Sequence, residues 1–273
     1  MNAHKPVFLS LLTLALAACA GGEGEGAPAP QPEQATTAAP AVAQTALAEA
    51  DLARIVAEVM EREYPGAHDV AGNCWRHVLE TETGGDDIAY CLRPQPAQQV
   101  QAKDGTTQVY VMATNANDLG DNLEYAYSAV DAGLMAAFQV AVQPDLGWRM
   151  VASSKAMEFG TAGACGCERA AFTRLGTDYY GWMFTSGGVW QGTVVSNHEI
   201  VAPHDGVFRD LSKVPEIRED AQDVRYDVEV QDDGSASEVY PLRVVKMQSD
   251  KKVAERTLEF DRAQWAYPGI GDF

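Results

Sequence analysis

Residues 179–196 read Tyr-Tyr-Gly-Trp-Met-Phe-Thr-Ser-Gly-Gly-Val-Trp-Gln-Gly-Thr-Val-Val-Ser. Aromatic and β-branched side chains dominate the stretch, and they suit a pleated, half-buried surface. In an extended chain Tyr180, Trp182 and Phe184 share one face while Tyr179 and Met183 share the other. The run Ser186-Gly187-Gly188 then reads as a turn between two strands, Tyr179–Thr185 and Val189–Ser196. A hairpin is the expectation here.

The same reading extends in both directions. Period-two patterning predicts strands at 74–80, 88–92, 108–114, 134–142, 148–153, 170–175, 224–230, 238–246 and 253–260. The connections carry turn formers: Gly84-Gly85, Pro144-Asp145-Leu146-Gly147 and Asp232-Asp233-Gly234. Helical signals are sparse after residue 66, with one short helix expected to begin at Pro215 (PEIREDAQ). Before residue 66 the pattern differs. Leu52, Ile55, Val56 and Val59 fall at i, i+3, i+4 and i+7, which predicts an amphipathic helix over 45–64. Thr45 is the expected N-cap, and Pro65-Gly66 the stop. The expected class is therefore mainly β (α+β): an antiparallel sandwich or open barrel carrying one N-terminal amphipathic helix. Residues 45–273 are expected to form a single globular domain, β-rich from 73 to 273.

The first 44 residues have another character. Lys5 precedes an apolar run, VFLSLLTLA, which is too short to span a bilayer as a mature helix. Leu16-Ala17-Ala18-Cys19 follows at once. This tetrapeptide resembles the lipobox of bacterial lipoproteins, Leu-(Ala/Ser)-(Gly/Ala)-Cys, at all four positions. The resemblance covers residues 1–19 alone. It implies that residues 1–18 are a cleaved signal peptide and that Cys19 is the lipidation site. With Ala20 rather than Asp after the cysteine, it also implies sorting to the outer membrane, facing the periplasm or the surface. Residues 20–44 (AGGEGEGAPAPQPEQATTAAPAVAQ) contain no aromatic residue and read as a disordered tether. A flexible coil of that length spans about 30 Å on average.

Charge narrows the partners. The chain carries 20 Lys and Arg against 39 Asp and Glu, a formal charge of −19. Removing residues 1–18 takes away Lys5 and no acid, which leaves −20. A polyanion without a basic cluster is repelled by phosphates, so nucleic acid is excluded as an expected partner. The membrane, reached through the lipid, and a basic protein are the partners this balance favours. The terminal Phe273 does not make an outer-membrane barrel, since the strands are short and acids are scattered through them.

Four cysteines remain beyond Cys19: Cys74, Cys91, Cys165 and Cys167. An exported compartment favours disulfides, and four cysteines allow three connectivities. Cys74 and Cys91 lie on strands that a turn near Gly84-Gly85 would bring side by side. Cys165-Gly166-Cys167 is either a loop staple, within the pair or crossed to the other two, or a thiol–disulfide exchange site; it lacks the C-x-x-C of thioredoxin-type enzymes.

The remaining motifs are weak. His198-Glu199 opens like a zinc-protease helix, but Ala202 stands where a second His is required, and the segment reads as strand. His204-Asp205-Gly206 reads as a turn. Asn115, Asn117, Asp118, Asp121 and Glu124 surround Gly120, yet Leu119 and Ala126 break the EF-hand template, leaving a looser calcium site or a solvated turn. A paired-carboxylate glycosidase is compatible with the many acids but is pointed to by none of them. Tyr180, Trp182, Phe184 and Trp190 are candidate binding residues, a stacking platform for sugar or protein, set against the alternative that they form the core. No catalytic set, metal set or cofactor is expected. A non-catalytic, lipid-anchored binding module is the leading expectation, with a redox protein using Cys165 and Cys167, or a carbohydrate- or calcium-binding module, as alternatives.

Overall fold

A computed structural model describes residues 46–80, 87–119, 122–232 and 234–273. The expected signal peptide, Cys19, the tether, Thr45, the Gly84-Gly85 turn, Gly120, Asp121 and Asp233 lie outside the described residues.

The first element is α1, Glu49–Glu63. Ile55, Val59 and Met60 are buried, and Leu52 and Val56 pack partly buried beside them, so the expected stripe is the packing face. The start differs from expectation. Ala48 occupies the N-cap position and offers no side-chain capping bond, so Thr45 is not the cap. Glu49 and Asp51 in the first turn face the positive end of the helix dipole instead. Tyr64 is the C-cap and Gly66 turns the chain at φ +66°.

Two antiparallel sheets follow. The first contains β1 (His68–Asp69), β2 (Cys74–Leu79), β3 (Ile88–Pro94), β4 (Gln98–Gln101), β5 (Thr107–Asn115), β6 (Gly133–Val142) and β7 (Trp148–Phe159). Its order is β1-β2-β3-β5-β6-β7, with β4 also on β5. The second contains β8 (Ala171–Gly176), β9 (Tyr179–Trp190), β10 (Thr193–His204), β11 (Val207–Asp210), β12 (Val214–Arg218), β13 (Ala221–Val230), β14 (Leu242–Gln248) and β15 (Lys251–Leu258). Its order is β15-β14-β13-β12-β10-β9-β8, and β11 pairs with β10. One of the two sheets curls into a half-barrel. The mainly β class, with one helix near the N-terminus, is as the patterning implied.

Burial on both faces of each sheet produces layers. Leu134, Ala136, Phe138 and Val140 of β6 meet α1, while Met135 and Ala137 of the same strand meet the second sheet. That is why β6 reads as an almost unbroken apolar run rather than an alternating one. The inter-sheet layer adds Tyr110, Trp182, Phe184, Val201 and Phe208. The far face of the second sheet packs Ile200, Tyr226, Leu242 and Val244 against Tyr267 and Ile270 of the last segment.

Several boundaries depart from expectation. Ser186-Gly187-Gly188 is not a turn; it lies inside β9, whose hairpin with β10 closes at Gln191-Gly192, both at positive φ. A β-carbon on Gly187 would sit 2.1 Å from the Val195 carbonyl oxygen, so these glycines serve close backbone approach within a strand. PEIREDAQ forms no helix: Val214–Arg218 is β12, and Arg218 binds Asp220 across the following turn. The link from β13 to β14 spans residues 231–241, so the strand expected from Glu238 begins at Leu242.

Candidate functional site

Gly160, Ala162, Gly163 and Gly166 all have positive φ, and they fold the segment after β7 back under the first sheet. This brings Cys165 and Cys167 into a disulfide with α-carbons 5.1 Å apart, inside the normal range. Extended-strand geometry would hold them too far apart, and the left-handed Gly166 (φ 73°) is what closes the distance. Cys74 and Cys91, on β2 and β3, form the other bridge, with α-carbons 5.4 Å apart. Both cysteines of the Cys165–Cys167 pair are fully buried among Met135, Ala137, Trp182 and Phe184. A thiolate attacking this bridge has no path to either sulfur without local opening.

Metal ligation gains little. Among the described residues, Cys165, Cys167 and Glu168 are the one cluster of three ligand-type side chains. Two of those ligand atoms are tied in the disulfide, and a metal requires free thiolates. The oxygen-rich loop disperses: Asn115 binds the Gly163 carbonyl and the Leu134 N–H, Asn117 binds Glu168, Asp118 pairs with Arg93 and Glu124 with Arg76. The histidines are equally scattered. His198 lies on a strand and bonds the Tyr226 carbonyl, His204 stacks on Trp265, His68 lies against Trp75, and His77 meets the edge of Tyr64.

The aromatic candidates divide. Trp182 and Phe184 are buried between the sheets, with Trp182 within 6.1 Å of the Tyr110, Phe172 and Phe208 rings. Tyr180 stacks on Phe172. Trp190 alone of the four is open, at 49% exposure. Three of the candidates therefore supply core packing, and no stacking platform is assembled from the set.

Two features escaped the sequence reading. The first is Glu199, buried on β10 near the exposed Asp210 of β11. Asp210 Oδ1 also accepts from the N–H groups of Ile200 and Ser212. Burial, then the Asp210 charge, pushes the Glu199 carboxyl up to about 8. The turn at His204-Asp205-Gly206 sets Val201 opposite Asp210, which puts Asp210 diagonally across from Glu199. That turn was legible, so the juxtaposition could have been worked out from it.

The second is a groove of about 550 Å³ walled by Leu52, Ala53 and Val56 of α1, by Trp75, and by the Pro94–Ala97 connection. Its walls are mainly apolar, and its size falls within the range of ordinary ligand sites. Trp75 Nε1 and Arg93 Nε, both on lining residues, are buried without a hydrogen-bond partner. The remaining Arg93 nitrogens are committed, Nη1 to Asp118 and Nη2 to the Gly72 carbonyl. Both nitrogens are enclosed by the protein rather than open to the groove.

No family model, no curated protein and no solved structure matches the chain.

Proposed function

We propose that this protein is a lipid-anchored envelope protein, held at the outer membrane through Cys19, whose β domain is a non-catalytic binding module. The observation that carries the reading is the groove beside α1, whose mainly apolar walls include the charged Glu49 and Arg93. Such a site suits an apolar side chain of a partner. The helix forming one wall carries Glu49, Asp51, Glu58, Glu61 and Glu63 against Arg54 and Arg62, which favours a basic partner. The overall charge acts in the same direction and would steer encounter over a distance of about 10 Å at moderate salt.

The test uses the native protein in its own envelope. A photo-crosslinking amino acid replacing Ala53, inside the groove, should trap one discrete partner. The same group at Val253, exposed on the opposite sheet, should not. Equal adducts from both positions, or none from Ala53, would refute the groove as the binding site. Anchoring is checked separately. Cys19→Ser should abolish labelled-palmitate incorporation, and unaltered processing would refute lipidation. Thiol–disulfide exchange at Cys165 and Cys167 is the weaker reading, because both are fully buried.

A further inference from the structure

The β9–β10 hairpin outruns the sheet it belongs to. β8 pairs with β9 only as far as Met183, so from Phe184 onward β9 has β10 alone beside it within the sheet. On the other side β12 pairs with β10 from Ser196 to His198, which leaves Thr193, Val194 and Val195 beyond it. Gln222 of β13 takes the place of a neighbouring strand there. Its Oε1 accepts from Val194 N–H at 3.0 Å, and its Nε2 donates to the Val194 carbonyl at 2.7 Å. The arm is thus held extended past the sheet as far as its turn at Gln191-Gly192. What it carries outward is apolar on both faces. Val189 and Val194 stand opposite each other on one face, Val189 at 66% exposure. Trp190 lies on the other face, with the half-buried Val195 behind it. No Asp, Glu, Lys or Arg occurs from Tyr179 to Asn197, in a chain of which 22% is charged. Val130, 81% exposed, belongs to the same end of the molecule. The carbonyl of its neighbour Asp131 accepts from Gly163 N–H at 3.0 Å, and a β-carbon on Gly188 would stand 2.6 Å from the hydroxyl of Thr161 in that same loop.

We infer that the tip of this hairpin is a membrane foot: Val189, Trp190 and Val194, with Val130 beside them, dip into the boundary between headgroups and acyl chains of a zwitterionic lipid surface. An apolar patch on one face suits a flat partner, whereas side chains on both faces of a braced arm suit a medium that closes around it. Tryptophan settles at that boundary, where its ring is buried and its N–H stays wet. Entry strips no charge of water, because the arm carries none. The formal charge of −19 sets the chain against anionic headgroups and so selects zwitterionic ones.

Charge begins behind the tip, where Ser196 binds Glu216 of β12 and Arg218 pairs with Asp220 in the turn that follows. That limits entry to the shallow depth of interfacial segments, about 5–10 Å. Such a foot needs from the proposed function only residence at a membrane, and makes no use of the α1 groove. The other end of the first sheet offers no counterpart of this kind: Leu146, before β7, is exposed singly in a turn with Asp145.

Site-specific quenching in the full native protein, reconstituted into phosphatidylcholine vesicles, tests the foot. A fluorophore on Gln191→Cys should lose at least half its emission to lipids bearing a nitroxide near the ester carbonyl. The same fluorophore on Leu146→Cys should lose none. Adding Val189→Asp and Trp190→Asp should abolish the quenching at position 191 in protein that still unfolds cooperatively. Unquenched Gln191→Cys, equal quenching at both positions, or quenching that survives the two Asp substitutions overturns the foot. Flotation with the vesicles reports the acyl anchor separately. Protein that floats only with Val189 and Trp190 intact would keep the foot and refute lipidation, while protein that floats with position 191 unquenched would do the reverse. In the native envelope, a photo-crosslinking amino acid replacing Gln191 should yield lipid adducts, and one discrete protein adduct in their place overturns the foot.

Discussion

Gly133 and Cys165 approach so closely that a β-carbon on Gly133 would stand 2.2 Å from the Cys165 nitrogen. The first residue of β6 thus presses against the disulfide loop, and no side chain fits between them. Gly133→Ala should therefore force the loop off the sheet and cost about 3 kcal/mol or more, the upper range for overpacking. Gly192→Ala makes the control. Gly192 sits at φ +85° with nothing within 4 Å of the new carbon, so only backbone strain of about 1 kcal/mol is expected. Urea midpoints of the two variants should separate clearly, and equal losses would refute the close approach.

The two disulfides should differ in worth. Cys74–Cys91 closes a separation of 17 residues, and Cys165–Cys167 a separation of 2. The chain-entropy model assigns about 3 kcal/mol to the longer loop and about 1.5 kcal/mol to the shorter. Paired Cys→Ala variants, compared by denaturant unfolding at fixed pH, should rank in that order. Both bridges are also fully buried, so alkylation after mild dithiol treatment of the folded protein should label neither pair. Rapid labelling of Cys165 and Cys167 alone would reverse that expectation and favour the exchange reading.

Trp182 and Trp190 stand on one strand with opposite fates, 3% and 49% exposed. Trp182→Ala removes a ring in contact distance of three others and should cost about 3–5 kcal/mol. Trp190→Ala should cost less than about 0.5 kcal/mol, as surface changes do. Thermal unfolding of both variants measures the contrast, and comparable losses would mean that Trp190 carries packing of its own.

Fold class was legible because apolar alternation depends on neither partners nor register. The β2–β3 pairing and most of β5–β6 fall within strands that the patterning marked, whereas β7 runs on to Phe159, past the end expected at Ser153. What failed were positions where a long-range contact overrides local chemistry. Gly187 and Gly188 look like a turn, yet their missing side chains admit the Val195 carbonyl and the Thr161 hydroxyl. Glu216 and Arg218 look helical, but β10 and β13 claim the Val214–Arg218 backbone as a strand. The polar Gln98–Gln101 gave no apolar signal and became β4 by pairing with β5. Of the sites, the cysteine pairings were open among three choices and the α1 groove was invisible, because Trp75, Pro94 and Leu52 meet only in three dimensions.

Stability should fall as pH rises from the carboxylate range toward 8. Glu199 holds its proton more tightly folded than unfolded, its carboxyl lying near 8 rather than at 4.5. Its stabilising contribution is complete below the unfolded value, declines through the interval, and is gone above the folded one. Asp210, also raised although it lies at the surface, acts with the same sign. Asp69, Asp118 and Glu255 run the other way: hydrogen bonds, first from Gly72, Arg93 and Arg243 respectively, hold them below the usual range, so their contribution is lost as pH falls. These three lie at the surface, where solvent and salt weaken such pairs. Stability should accordingly peak near pH 5, since carboxylate titration begins at about 4. It should then decline toward pH 8 by up to about 4 kcal/mol, because each tenfold difference in proton affinity between the folded and unfolded chain is worth roughly 1.4 kcal/mol and partial solvent contact trims the total. Glu199→Gln should abolish the decline above pH 5 and leave the acid limb intact, as denaturant midpoints measured across the pH range would show. A variant that keeps the alkaline decline would assign it to some other group.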